Sequence, residues 1–477
     1  MVTRISGMSS GLDTEAIITA LIDSEKLPIT TLENKVAEEE QVLAQWNSLS
    51  QQLSELKLAT QQLASYTVWN QKSVESADED YLTGSASSTG ATTGTYDIHV
   101  ETLAKSHRLG SDSQASKTDA LSITGDFSVG GETITVAADD SLEDIASSIN
   151  TAAVNMDEDE KVKAYLIGTT LIIEREKTGD TDINIVDGTN NILQSGVGGL
   201  GFFTGTVAAP NATLKNELQT SEDMSATIDG VSITGTSNTD IDAISGVNLN
   251  FKKEMAVGVT ETLTISNDTE TIKTLIDDFI AQYNDTMEFV KTQSTVELTD
   301  GGDITAVGYL QGETLMARIS TTLNSLASST ESNPNYMDQD FNNLYKLGIW
   351  FEGDDNTLAI VDQDKLDNAL DNNFDAVENL FRSYGTDVGG SVNAGRGIMR
   401  QFDTFLDAQV DPADGSISNR EQTISDYITR TNKEITAKYD YLETYEFDLW
   451  EHFAAMETAV GDINSQSSYL MSALGVG

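Results

Sequence analysis

Few residues in this 477-residue chain are of the types that do chemistry, and their settings argue against most of it. The string "GVGGLG", Gly196 to Gly201, satisfies G-x-G-x-x-G. That pattern grips a dinucleotide only between a strand and a helix whose N-terminus meets the pyrophosphate. Phe202, Phe203, Thr204 and Gly205 follow, which is no helix start, so a loop is expected. Asp338, Asp340 and Asn342 imitate half a calcium loop, but Asn343 stands at the turn position that needs glycine and Ile349 at the twelfth, which needs glutamate. Asp362, Asp364, Asp367 and Asp371 read as the wet face of a short helix. His99 falls on the polar side of a strand, His107 in a loop-like stretch and His452 in a heptad region, none with a neighbouring histidine or cysteine to complete a metal set. Among 77 acids some pair is always close, so proximity carries little weight for acid–base work. No catalytic, cofactor-binding or metal-binding residue is expected, and neither is an enzyme.

Composition narrows the partners. The 77 acids against 27 bases give a formal charge of −50, which repels phosphate backbones and anionic membrane surfaces; nucleic acid is not an expected partner. The same charge opposes side-by-side packing of copies unless salt screens it, which fits a saline habitat. With no cysteine, disulfides and thiolate sites are excluded. No apolar run of about 18 residues is present, so no membrane insertion is expected. The start shows no cleavable signal peptide: Arg4 is followed by no apolar h-region, and Asp13 and Glu15 interrupt its place.

The length accommodates roughly two to four domains. After Gly11 a short amphipathic helix is expected to end at Pro28. Leu32, Val36, Leu43, Trp46, Leu53, Leu56 and Leu63 then mark a helical stripe. At the far end Ile428, Ile435, Leu442, Leu449, Met456, Ile463 and Leu470 recur every seventh residue, with Ile424 and Tyr445 at the companion position. A sustained heptad predicts a coiled-coil seam over a helix from Ile417 to Leu474. Between these ends the texture turns to Thr, Ser, Gly and Asp with alternating strands. "TYDIHVETL" places Tyr96, Ile98 and Val100 on one face, Ser141 and Asp144 form a capping box, and Asp229-Gly230 signals a hairpin. Helical stripes return after Ile272 and after Leu315, a hairpin is expected across Asp354 to Asn356, and Val410 to Ser416 reads as a linker.

The fold class expected is a multidomain α+β chain. Its terminal helices cover each other as a coiled-coil or bundle stalk, with β-rich head domains inserted between them. The divisions are 1–70, 71–220, 221–268, 269–415 and 416–477. The seam is assigned to Leu43, Trp46, Leu53 and Leu56 against Ile428, Ile435, Leu442, Leu449 and Met456.

Ordered blocks carry a resemblance. "SGLDTEAIITALIDSEKLPITTLENKV" resembles the N-terminal signature of the flagellar filament capping protein family, hook-associated protein 2. "SLEDIASSIN" and "IIEREKTGDTDINI" resemble the flagellin hook motif, with Ile149 and Asn150 as its namesakes. "ATIDGVSITGTSNTDIDAISGVNLNF", "LGIWFEGDDNTLAIVDQDKLDNALDNNFDAVENLF" and the final "INSQSSYLMSAL" are similar to later family blocks, while Thr204 to Gln219 has no family counterpart. The resemblance implies export through the flagellar type III apparatus without signal cleavage, with an export chaperone. It implies a homo-oligomeric ring, pentameric or similar, at the extracellular filament tip. Flagellin and the hook–filament junction protein are the implied partners, and incoming flagellin folds beneath the cap. The leg contacts are assigned to Leu12, Ile17, Ile18, Leu21 and Ile22 and to Ile463, Tyr469, Leu470 and Leu474; the alternative for each is that it only completes the helix pair. A second reading makes the Thr/Gly-rich head a surface adhesin, and a third makes the chain a secretion-needle tip.

Overall fold

The computed structural model describes residues 9–87, 90–196, 198–204, 214–298, 304–330, 338–353, 356–383 and 396–475. Val197, the tip of the expected Asp354–Asn356 hairpin and most of Thr204–Gln219 therefore lie outside the described residues. Two compact units result: Met1–Tyr66 with Thr269–Gly477, and Thr67–Asp268. The helices are α1 (Thr14–Leu63), α2 (Tyr66–Trp69), α3 (Leu142–Ala153), α4 (Thr269–Ser294), α5 (Thr314–Ala327), α6 (Gln363–Asn372), α7 (Phe374–Arg382), α8 (Ile398–Val410) and α9 (Ser416–Leu474).

In the first unit α1 runs unbroken through Pro28 instead of ending there. An interior proline removes one backbone bond and costs a helix about 3 kcal/mol, but here packing outweighs the penalty. Ile22, Ile29 and Val36 are buried on one line at seven-residue spacing across the proline, while Pro28 itself faces solvent. That line continues to Leu43 and is the counterpart of the α9 heptad. The two helices are antiparallel: Tyr439 Oη donates to Glu33 Oε1 at 2.8 Å, and Ser9 N to Glu457 Oε2 at 2.9 Å.

α9 does not cover α1 alone. α1 also packs on α4 and α8, because its second half presents too wide an apolar face for one partner. Trp46, Leu49, Leu53, Leu56 and Leu63 have no exposure. Near its C-terminal end, Lys57 Nζ meets Asp407 Oδ1 of α8 at 2.5 Å and Gln61 Nε2 donates to Asp403 Oδ1 at 2.9 Å. Phe402 of α8 meets Phe279 and Tyr283 of α4 edge-on, with centroids 5.3 and 6.3 Å away. Burial there pushes the Tyr283 hydroxyl far above its ordinary pKa. A small hairpin, Ile349–Glu352 with Thr357–Ile360, packs on α4: Asn284 holds Leu358 by donating to its carbonyl and accepting from its N–H at 2.8 and 2.7 Å.

The second unit holds β1 (Lys72–Ser76), β2 (Leu82–Ala86), β3 (Gly94–Thr102), β4 (Arg108–Gly110), β5 (Gly125–Val129), β6 (Glu132–Val136), β7 (Val162–Ile167) and β8 (Thr170–Arg175). After them come β9 (Ile185–Asp187), β10 (Glu217–Gln219), β11 (Met224–Ile228), β12 (Val231–Gly235), β13 (Ile241–Ile244), β14 (Val247–Phe251) and β15 (Glu261–Asn267). An antiparallel sheet in the order β1-β15-β3-β11-β12 shares a core with the sheet β13-β14-β2. Ile98 and Val100 are buried in it, as the alternation predicts, and Asp229 and Gly230 take positive φ in the hairpin turn. A second core lies under the sheets β10-β4-β8-β7 and β6-β5-β9 and α3.

This corrects the expected 71–220 and 221–268 division. β3 is hydrogen-bonded between β15 and β11, so 72–102 belongs with 224–267, and the second core is nested between them. Only long-range pairing reveals that. Ser141 caps α3 with the expected reciprocal box. Ile149 is buried, and Asn150 docks α3 on β7, its Nδ2 donating to the Ala164 carbonyl at 2.8 Å while its Oδ1 accepts from Ala164 N at 2.8 Å. Asn150→Ala orphans both backbone groups and should cost about 1–3 kcal/mol. Faster hydrogen exchange across β7, with unchanged exchange in α4 and α8, is the expected result.

Candidate functional site: the paired ends of the terminal helices

Three serine donors meet one carboxylate where the helices end. Ser9 N and Ser10 N donate to Glu457 Oε2 at 2.9 and 3.2 Å, and the Ser10 hydroxyl donates to Oε1. Glu457 is buried, and these bonds, the hydroxyl's foremost, hold its carboxyl below the usual range. Gly11, at φ +72°, turns the chain toward α1, whose N-terminal N–H groups are met by Asp13 as it accepts from Ala16 N at 3.0 Å. Beyond that turn Ile18, Ile22 and Ile29 close on Leu442, with Ile435, Tyr445, Leu449, Trp450 and Phe453 packed around them.

The structure divides the expected leg contacts. Ile18 and Ile22 are 2% and 8% exposed; they belong to the helix-pair core and offer no outer surface, because the heptad line runs through them. Leu12, Ile17 and Leu21 are 37% to 47% exposed, and Ile463, Tyr469, Leu470 and Leu474 are 57% to 76% exposed. Of the expected seam, Trp46, Leu53, Leu56 and Leu442 are buried, and Leu43, Ile428, Ile435, Leu449 and Met456 are half-buried. One apolar line on α9 is therefore covered as far as Met456 and emerges into solvent at Ile463 and Leu470. Leu27 and Met471 are exposed as well and were missed. A signal existed: no Asp, Glu, Lys or Arg occurs from Ile463 to Gly477, in a chain of net charge −50.

Farther up the pair, Glu421 of α9 bonds Ser50 of α1, and burial raises its pKa; its Oε1 is buried without a partner.

Other candidates do not assemble a site. Gly196, Gly198 and Gly201 take positive φ in an irregular stretch, and the described residues that follow directly, 202–204, are not helical. Asp338 Oδ1 accepts from Asp340 N at 2.8 Å as a local turn, and Asp362 caps α6 through Lys365 N at 3.2 Å. His107 lies in a loop just before β4, as expected, but it is fully buried there, with Nε2 3.3 Å from Glu217 Oε1 and 3.6 Å from Asp182 Oδ1. Ile183 N donates to its Nδ1 at 2.8 Å, so the neutral ring carries its proton on Nε2. A metal ligand needs a lone pair at that atom, so the donor set does not fit a metal ion.

A family model described as "Flagellar hook-associated protein 2 N-terminus" matches residues 10–107, and one described as "Flagellar hook-associated protein 2 C-terminus" matches 221–465. The chain belongs to the flagellar hook-associated protein 2 family. "Flagellar hook-associated protein 2" of Escherichia coli K12 is 26% identical, over 97% of this chain and 96% of its own length. "B-type flagellar hook-associated protein 2" of Pseudomonas aeruginosa is 25% identical, over 91% and 93%. The fold resembles the D1-D2-D3 domains of the flagellar cap protein FliD from Escherichia coli, with a TM-score of 0.54 and 23% identity, over 80% of this chain and 99% of that one. As a hook-associated protein 2, the chain is a cap protein of the flagellar filament tip, and its family is structural and oligomeric. The adhesin alternative has no support.

A carboxyl whose folded pKa is raised loses folded-state stability as pH climbs from the unfolded value, near 4.3, through the folded one; above that the loss is complete. Glu421→Gln keeps a partner for Ser50 and removes the buried charge. Its melting temperature should exceed the parent's at pH 7 and converge on it near pH 4.

Proposed function

We propose that the paired ends of α1 and α9 are the legs by which this cap protein holds the growing end of the filament. In this reading Leu12, Ile17 and Leu21 on one helix and Ile463, Tyr469, Leu470 and Leu474 on the other meet flagellin subunits of the lattice. Copies of the chain form a ring, pentameric or similar, beneath which exported flagellin folds and inserts. The hook–filament junction protein, the export apparatus and an export chaperone are the other partners, and the role is structural rather than catalytic. One observation carries the reading: the α9 seam emerges uncovered at Ile463 and Leu470, within a stretch free of charge. Such a surface can approach a polymer end without desolvating a carboxylate.

Ile463→Ser with Leu470→Ser should leave the helical circular dichroism and melting temperature of the chain unchanged. Cells carrying that variant as their sole copy should release monomeric flagellin into the medium, and parent-level filament growth would count against the legs.

Ring formation sets the −50 charge of each copy against its neighbours. The screening length falls from about 30 Å at 0.01 M salt to about 10 Å at 0.1 M, so sedimentation should show larger oligomers as salt rises over that range. Oligomers that weaken instead contradict the charge argument.

A further inference from the structure

Glu457, Gly461 and Asn464 lie at i, i+4 and i+7 and so share one face of α9. All three meet the backbone or side chain of the same two residues. Glu457 takes the N–H groups of Ser9 and Ser10 and the Ser10 hydroxyl, while Asn464 Nδ2 donates to the Ser9 carbonyl at 3.0 Å. Between them Gly461 leaves room: a Cβ there would stand 3.1 Å from Ser9 Oγ, tighter than ordinary contact. The Ser9–Ser10 backbone is thus held at both its N–H and its C=O ends, across a chain separation of 448 residues. The arrangement is a receptor for one short strap.

We infer that this stripe is a latch and that Glu457 is its positioning residue. Seating Ser9–Ser10 fixes where α1 starts against α9, and so sets the position of Leu12, Ile17 and Leu21 relative to Ile463, Leu470 and Leu474. With the latch open, α1 can fray from its first turn and the two sets separate. Glu457 itself touches no partner; it acts through the strap. The role of those exposed residues rests on the filament-end reading above, whereas the latch itself does not.

The absence of cysteine makes the latch directly testable. Ser9→Cys with Gly461→Cys introduces the chain's one pair of thiols. The added Cβ would lie 3.8 Å from the Ser9 Cβ, within the roughly 3.5–4.5 Å that a disulfide spans. The Ser9 N–H bond to Glu457 is untouched. In this full-length background, disulfide formation under glutathione reports how often the strap is seated. Glu457→Leu should slow it about tenfold or more, as expected for losing hydrogen bonds to a charged acceptor. Glu457→Gln, whose amide oxygen accepts the same N–H groups, should stay close to the parent, as should Glu451→Leu, which removes an exposed charge from the same helix.

The second readout is binding of purified protein to the ends of sheared flagellar filaments. Glu457→Leu in the reduced double-cysteine background should bind weakly, and oxidation should restore it. Parent-rate crosslinking in Glu457→Leu overturns the latch. Failure of the oxidised bridge to restore end binding overturns the positioning role. If the parent does not bind filament ends at all, the filament-end reading falls while the crosslinking rates still decide the latch.

Discussion

The antiparallel seam between α1 and α9 is the constraint on which the helical unit depends. It joins the two ends of a chain whose middle forms a separate unit. The entropy of closing so long a loop grows only with the logarithm of its length, so distance along the chain is not the main obstacle. The obstacles are the acidic charge of both helices and the poor stability of long helices that have no apolar partner. A heptad of Ile, Leu and Met facing Ile18, Ile22, Ile29 and Val36 answers both, because apolar burial is indifferent to the sign of the surface charge. The same seam explains why Pro28 is tolerated: the helix on either side is held by packing rather than by propensity.

Carboxylates are handled according to depth. Most are left in water or paired singly, as Asp407 is with Lys57 and Asp362 with Lys365. Two of those at the α1–α9 contact behave in opposite ways. Glu457 is surrounded by donors that favour its charged form, whereas Glu421 has one serine and a desolvated oxygen. The pair is therefore tightened at its open end and carries an electrostatic penalty near its other end.

Local signals in the sequence held where the physics was local. The capping box at Ser141, the Asp229-Gly230 turn, the alternation around Ile98 and the α9 heptad each involve neighbours within a few residues, and each recurs in the structure. Long-range pairing was not legible: nothing near Tyr96 says that β3 lies between β11 and β15, so the nested order of the two β cores was lost. Proline grammar misled at Pro28, and ending α1 there hid the Ile22, Ile29, Val36 and Leu43 line that matches the heptad. The site was half legible for the same reason. Ile18 and Ile22 look like any apolar residue of an amphipathic end until their partners on α9 are known, while Ser9, Ser10 and Glu457 give no sign of one another at that distance.

An incomplete seam is a functional arrangement. Were α9 covered to Leu474, the pair would be an inert strut; were it uncovered from Leu442, α1 would have nothing to hold it. Coverage stops at Met456 and the Ser9–Ser10 strap, and the uncharged remainder stays open. A helix end that no tertiary packing covers holds its helix weakly, so each contact that must also fix it is weakened by the ordering cost. In a ring of identical subunits weak contacts add through effective concentration, and one can release while the others hold. On the leg reading proposed above, a cap that must stay on a polymer end while that end lengthens would draw that balance from the length of the uncovered segment.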